Sequence, residues 1–354
     1  MFAARAFECA AASDAAAAVD DGLWGEFRRS GLAIAPFPEK LGGCGLIESD
    51  RQGNLCTVLR LLGAGDLSIA RLIEGHINVI ALVCRYGTPA QQASLASDVR
   101  DGALAAVWGA DDAAGLKIVT RDHHSELRGR KILASGAGFV MRPIVTAKAG
   151  DDQWMCLLRL SPDHPVDLGG WTAQGMRSTA TGAIDLTGIP IGPDETVGAA
   201  GDFMRQPYFS GGAWRFCAAH LGAMERLVEL FRQHLVSRGR AEDPYQLQRV
   251  AVCVAAVRTA RFWVEEAARR FGGEADPEAT VAFANMTRMV TERSALDIME
   301  SVQRGVGLLA FIRPDPIERI CRDLSTYLRQ PVPDLAMSNA ARAWLKSAAP
   351  VGEF

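Results

Sequence analysis

From about residue 13 to residue 95, apolar positions recur at helical spacing. Leu55, Val58, Leu59 and Leu62 share one helix face, and residues 72–84 are nearly all apolar apart from Glu74, His76 and Asn78. The second pattern predicts a helix buried on most sides. Ahead of both lies a loop of helix breakers, residues 35–45, which contains Pro36, Pro38, Gly42, Gly43 and Gly45. From residue 102 to 193 the texture changes to short runs rich in Val, Ile and Thr, separated by Gly, Pro and Asp. Residues 143–148 and 154–160 read as strands, with 150–153 as the hairpin turn between them. After a linker at 198–207, helical spacing resumes. Cys217, Leu221, Met224, Val228, Phe231 and Leu235 form one continuous apolar face. A second helix starts near Gln246, carries Leu247, Val250, Val254 and Val257 on one side, and stops at Gly272-Gly273. A third carries Phe283, Met286, Val290, Leu296, Met299, Val302, Val306 and Leu309 and ends before Pro314. With a shorter helix near 317–328, these predict a four-helix bundle.

The expected fold class is therefore α+β, in three parts. Residues 1–101 form an N-terminal α-helical domain, 102–200 a small middle β-barrel domain, and 201–354 a C-terminal four-helix bundle. A chain of 354 residues exceeds the ~250–300 at which a single core stops growing, so subdomains sharing interfaces are expected. The sequence shows no repeat at the periods typical of solenoids.

Composition narrows the partners. A net charge of −3 and a pI near 6.1 give no global basic field, which argues against nucleic acid or an anionic membrane as partner. No apolar run of transmembrane length goes uninterrupted, and Glu8 and Asp14 break the N-terminal segment where a secretory signal needs an apolar core. The expectation is a cytoplasmic protein. A mean hydropathy of +0.06 leans toward buried subunit contacts. The eight cysteines are scattered, without a CxxC pair or a Cys/His cluster at metal spacing, and read as reduced core residues. His123-His124, beside Asp122 and Glu126, reads as a solvated turn rather than a metal site.

Several segments agree in order with one known family. Trp171, Gly175, Met176, Arg177, Thr179 and Gly182, followed by Ile184 to Ile191, resemble the middle β-domain signature of the acyl-CoA dehydrogenase family, which includes a flavin monooxygenase branch. The glycine-rich loop at 35–45, the segment Tyr86-Gly87-Thr88 with Gln91, and Arg322-Asp323 resemble further family segments. What the resemblance implies is a flavoprotein oxidoreductase. It would hold FAD, or FMN, between the β domain and the bundle, within a homodimer or homotetramer, and act on a small acyl thioester or related substrate.

A flavin needs hydrogen bonds at its ring edges, a flat apolar neighbour, and cations or amides for its phosphates. By the resemblance, Trp108 covers the ring, with a core tryptophan as the plainer reading. Ala110 stands where the family carries a threonine. Ser135 carries the hydroxyl contact, or is a turn serine before Gly136. Arg238 would take a partner's pyrophosphate as a bidentate guanidinium, or is an exposed helix-end arginine. Gln303 and Gly307, in a Gln-Arg-Gly-Val-Gly turn, would approach the ribityl and adenine parts, or mark close helix packing.

Acyl-CoA dehydrogenation also needs a carboxylate base beside the reacting carbon. The family's usual position, reckoned from Arg322-Asp323, falls on Pro331; the alternative position, reckoned from Gly222, falls on Gly212. Neither is a carboxylate. Near the second lie Tyr208 and Arg215, and an arginine does not act as a base. The monooxygenase branch dispenses with that carboxylate and uses a histidine near the flavin, which points to His76 as the catalytic candidate, with His220 behind it; both also read as core histidines. Three readings follow: a dehydrogenase-like oxidoreductase with a relocated base, a flavin monooxygenase or hydroxylase on the same scaffold, or a non-catalytic homologue kept as a partner subunit.

Overall fold

Helix-forming periodicity ends where capping chemistry begins. The computed structural model describes residues 1–274, 276–329 and 332–352. Five helices come first: α1 (Phe2–Ala16), α2 (Asp21–Arg29), α3 (Gln52–Gly65), α4 (Leu67–Tyr86) and α5 (Pro89–Arg100). Asp66 starts α4 by accepting the Ile69 N–H at 2.9 Å, satisfying one of the donors a helix start leaves open. Helix α4 is long and apolar enough to cross a membrane, yet 72% of its most apolar stretch is buried inside the protein. It is the central helix of the N-terminal part, as its nearly unbroken apolar run predicts.

The Tyr86-Gly-Thr-Pro-Ala-Gln segment turns out to be a capping box with a tether. Gln91 N donates to Thr88 Oγ1 and Thr88 N donates to Gln91 Oε1. The same Gln91 amide then donates to Asp194 O and Thr196 O, at 2.9 and 2.8 Å. One side chain thus starts α5 and ties it to the β domain.

Nine strands follow: β1 (Leu104–Trp108), β2 (Lys117–Arg121), β3 (His124–Arg128), β4 (Arg130–Ala134), β5 (Val140–Ala149), β6 (Asp152–Leu157), β7 (Val166–Asp167), β8 (Gly182–Asp185) and β9 (Thr196–Val197). They form two sheets. In the larger, the order is β3-β2-β5-β6-β9, with β1 parallel to β5; the smaller runs β4-β8-β7. Isolated bridges from Asp111 to Lys131 and from Glu126 to Pro190 join the two and curl the assembly. The predicted hairpin is present: β5 and β6 pair from Ile144↔Leu157 to Ala149↔Asp152, across a turn at Gly150 with φ 63°.

The bundle consists of α6 (Trp214–Ser237), α7 (Pro244–Gly272), α8 (Pro277–Val306), α9 (Pro316–Tyr327) and a further helix, α10 (Pro333–Lys346), packed on α8. Helix α6 also packs closely on α3. A Cβ on Gly63 would lie 1.9 Å from Ala219 O, and one on Gly222 1.8 Å from Arg60 O. Only glycine allows backbones to approach so closely, so two small residues join the N-terminal helices to the bundle. The α6 stripe is buried or half-buried along its length. Helix α7 differs from expectation: its core face is Gln246, Cys253, Ala260, Val264 and Ala267, whereas Leu247 and Val254 are 48% and 49% exposed. The expected face is covered only in part: Val250 and Val257 pack against the core, while Leu247 and Val254 stay exposed. One connected apolar core runs through all three parts.

Candidate functional site

The signature around Met176 is a three-residue turn, Arg177–Thr179, flanked by Met176 and Ala180 in left-handed backbone conformations (φ 56° and 43°). Such geometry persists where surrounding structure over-determines it, and here α9 does so. Met176 N donates to Asp323 Oδ1 at 2.6 Å, Gly175 N to Thr326 Oγ1 at 3.2 Å, and Arg322 Nη1 to Gln174 O at 2.6 Å. Arg322 also pairs with Asp14 of α1 at 2.8 Å and with Glu318 at 2.5 Å. A Cβ on Gly175 would lie 2.2 Å from Arg322 O. The two motifs, far apart in sequence, are therefore one latch between the β domain, α1 and α9. Behind it Arg319 pairs with buried Asp66 at 3.1 Å. Burial, then repulsion from Asp66, pushes the Asp323 carboxyl up to about 7.

Trp108 belongs to this interior rather than to an open surface. It is 2% exposed and donates its indole N–H to Ser135 O at 2.9 Å. These are the surroundings of a core tryptophan. Ser135 is half-buried at the end of a row of hydroxyls, Thr179 to Thr181 at 2.8 Å and Thr181 to Ser135 at 3.4 Å. The Ala110 carbonyl is spent on Ile132 N at 2.9 Å, while Gly109 is exposed with open space on its Cβ side. Sequence reasoning missed Lys131, fully buried between the sheets. Its ammonium pairs with Asp111 at 2.5 Å and reaches Thr146 Oγ1 at 3.2 Å and Gly109 O at 3.4 Å. That locks the end of β1; only Lys131 and Ala134 of β4 are buried.

Arg238, Gln303 and Gly307 cluster where α6 and α8 end. Arg238 is exposed at the C-cap of α6 and has no ion-pair partner among the described residues. Gln303 is half-buried and its carbonyl accepts the Gly307 N–H that closes α8, with Gly307 at φ 78°. No hydrogen bond joins this set to Ser135 in the β domain.

The structure places His76 in the core. It is fully buried; Nε2 lies 2.8 Å from Ala33 O and Nδ1 3.1 Å from Ala105 N. The two partners set the tautomer: Nδ1 accepts from the amide, so Nε2 carries the proton and donates to the carbonyl. Burial pushes the ring down to about 4, and both nitrogens are used in joining the 31–37 loop, α4 and β1. His220 differs. It is 2% exposed, its Nε2 has no partner, and its ring meets the Tyr327 ring edge-on at 4.5 Å. Beside it is a cavity of about 20 Å³ lined by Cys217, Arg288 and Glu292 among others, room for one water.

Next to Tyr327, α4 and α6 enclose a polar cluster. Arg71 pairs with Glu74 at 2.7 Å, and Asn78 Nδ2 donates to the other Glu74 oxygen. Asn78 Oδ1 in turn accepts from Arg215 Nη1 at 3.2 Å. Arg215 is 8% exposed, has no carboxylate partner among the described residues, and lies over the Phe271 ring at 4.9 Å. Burial, more than any neighbouring charge, pushes its guanidinium down to about 10. A Cβ on Gly212 would lie 3.0 Å from Arg215 Nη1, so a guanidinium fills the space of the alternative base position. Pro331, at the usual position, lies outside the described residues. Glu74 and Asn78 were visible as polar interruptions of α4, but their link to Arg215 was not. His123 and His124 are exposed, and no metal-binding group of side chains exists among the described residues.

Comparison with known proteins agrees with this architecture. Residues 1–103 match the acyl-CoA dehydrogenase N-terminal domain and residues 214–329 the acyl-CoA dehydrogenase C-terminal domain, together more than half of the chain. The chain belongs to the acyl-CoA dehydrogenase family and is an acyl-CoA dehydrogenase-like flavoprotein oxidoreductase. Among relatives, it is 23% identical to the amino sugar nitrososynthase DnmZ of Streptomyces peucetius, over 85% of this chain and 80% of that protein. FMN-bound TdsC, a dibenzothiophene monooxygenase from Paenibacillus sp. A11-2, superposes with a TM-score of 0.86 at 21% identity, covering 100% of this chain and 97% of that one. Butyryl-CoA dehydrogenase from Megasphaera elsdenii gives 0.84 at 17% identity, covering 98% and 96%. These structural likenesses establish the fold.

Proposed function

We propose that the protein is a flavin-dependent monooxygenase on the dehydrogenase scaffold, acting on a small substrate at a sulfur or amino nitrogen centre. One observation carries the reading: where a dehydrogenase of this family would place its relocated carboxylate, the Arg215 guanidinium lies 3.0 Å from the Gly212 Cβ position. The neighbouring buried carboxylate, Glu74, has both oxygens engaged, by Arg71 and Asn78. A group so held is a poor proton acceptor from substrate carbon. The names of two relatives, an amino sugar nitrososynthase and a dibenzothiophene monooxygenase, support the same direction.

The residues present fit a flavin at two places. The Ser135 hydroxyl ends a hydrogen-bonded row, and Gly109 beside it is open to solvent; these would hold the ring edge. Arg238, Gln303 and Gly307 would hold the phosphate-bearing side of a flavin bound to a second copy of the chain, FMN or FAD. When bound in reduced form, a flavin supplies the two electrons that activate dioxygen. Self-association is supported by the apolar stripe on α7, where Leu247, Val254 and Phe262 are 48%, 49% and 64% exposed.

The test is direct. The purified chain is titrated with FMN and FAD, then supplied with reduced flavin from an NADH-dependent reductase and a panel of thioethers, sulfinates and amines. Substrate-dependent oxygen uptake, with one ¹⁸O atom in the product, is expected. Anaerobic bleaching of bound flavin by acyl-CoAs would instead establish dehydrogenation, and failure to bind either flavin would leave the non-catalytic reading. Light scattering is expected to give a dimer or larger, and Val254→Glu to shift it toward monomer.

A further inference from the structure

We propose that Arg215 is the receptor for an oxyanion carried by the substrate, so that the protein selects small molecules bearing a carboxylate, sulfinate or phosphate group. The proposal rests on the monooxygenase reading for the bound molecule being a substrate. Its geometry stands on Arg215 itself. The guanidinium is more than nine-tenths buried, yet no carboxylate among the described residues pairs with it. Its Nη1 side is turned to Asn78, its Nε has no partner, and Nη2 donates no hydrogen bond among the described residues. The Nε–Nη2 edge is the one that forms two parallel bonds to a planar oxyanion. A buried cation left in this state is costly unless something pairs with it.

The surroundings favour an anion over any other ligand. Glu74 is the one carboxylate whose charge reaches Arg215, but its oxygens are engaged by Arg71 at 2.7 Å and by Asn78, so neither Arg215 nor Arg85 has a carboxylate paired to it among the described residues. Arg85 is exposed, lies 3.5 Å over the Tyr208 ring, and is close enough to repel the Arg215 charge. An exposed cation in front of a buried one draws anions inward. Phe271 and Trp214 flank the guanidinium at 4.9 and 5.7 Å and shield it from water, which strengthens any pairing. The Gly211-Gly212 pair contributes no side chain on that side. The cation stands where a relocated base would project, so an anionic group held there would lie beside the family's reacting position.

The test measures binding without turnover. The full chain, flavin-free and separately loaded with FMN, is titrated calorimetrically with succinate, methanesulfinate and inorganic phosphate against potassium chloride of equal ionic strength. Saturable binding of at least one oxyanion is expected. Arg215→Gln is expected to abolish it, and Arg215→Lys to weaken it about tenfold, because an ammonium lacks the fork. Glu74→Gln, which removes the competing negative charge while keeping the side-chain shape, is expected to tighten it severalfold, and this variant decides the matter if Arg215→Gln does not fold. Absence of saturable binding by the wild type, unchanged affinity in folded Arg215→Gln, or no tightening in Glu74→Gln would overturn the proposal. So would a loss of affinity for FMN but not riboflavin in Arg215→Gln with oxyanion binding intact, which would assign the guanidinium to the cofactor's phosphate. A protein that binds the oxyanions but consumes no oxygen keeps the role of Arg215 and overturns the monooxygenase reading alone.

Discussion

The latch beneath Met176 and the start of α6 are both rich in buried charge, but they use it in opposite ways. In the latch, Asp14, Asp66, Glu318 and Asp323 all accept hydrogen bonds, from Arg322, Arg319 and backbone amides; Arg319 Nε has no partner there, but its guanidinium already meets Asp66. At the start of α6, Arg215 Nε, Trp214 Nε1 and, one turn on, His220 Nε2 are buried without partners. Native interiors leave few polar groups unpaired, and those that remain call for an explanation. A network in which each guanidinium already meets a carboxylate accounts for a fold. One left open on its cationic side is an incomplete site, and a ligand completes it.

That contrast can be broken most directly at Gly175. A methyl group there meets the Arg322 carbonyl at 2.2 Å, backbone against backbone, so Gly175→Ala is expected to cost about 3 kcal/mol in urea denaturation. A cost below 1 kcal/mol would show that the latch is not tightly packed. His76→Ala comes next. It leaves the Ala105 amide and the Ala33 carbonyl unpaired and is expected to cost about 2 kcal/mol, while flavin affinity per folded molecule stays unchanged. A specific loss of turnover at full stability would return His76 to the catalytic site.

The latch also has a signature in pH. The Asp323 carboxyl is raised from 3.8 to about 7 in the fold, so its contribution is fully present below pH ~4 and is lost as pH rises toward 7. His76 and His220 are lowered from 6.5 to about 4 and about 3, so their contribution is present above pH 6.5 and is lost as pH falls. Asp323→Asn keeps an oxygen acceptor for the Met176 amide. It is expected to remove the decline, leaving stability that only rises between pH 4 and 6.5 when denaturation midpoints are followed across that range. The smallest effect is expected at His220, where a ring nitrogen is already unpaired. His220→Phe should change stability by less than about 1 kcal/mol, and a large loss would mean that the nitrogen is paired through water.

Much of the scaffold was legible because burial imposes periods. Helix α4 reads as a nearly unbroken apolar run, and the β5–β6 hairpin as two alternating segments around Gly150, because each must present side chains to a core at a fixed repeat. The motifs were legible as well, though their roles were not. Gln91 reads as a sequence mark before α5, while its reach to Asp194 and Thr196 depends on how the β domain docks. Helix α7 shows the limit clearly. Its valine stripe satisfies the helical repeat, yet only Val250 and Val257 of it reach the core, and the fully buried face is the narrower one of Cys253, Ala260 and Ala267, because small residues let helices approach.

By itself, the sequence determined the order of helices and strands, the family, and the loss of both carboxylate positions, since these follow from local spacing and residue identity. The tertiary structure decided which groups have partners. It turned His76 into a core bridge, Trp108 into a buried donor, and two separate motifs into one latch. It also placed the Arg215 guanidinium in the space beside Gly212. The reason is that burial and hydrogen bonding are set by neighbours through space, and no spacing along a single helix records what the next helix brings.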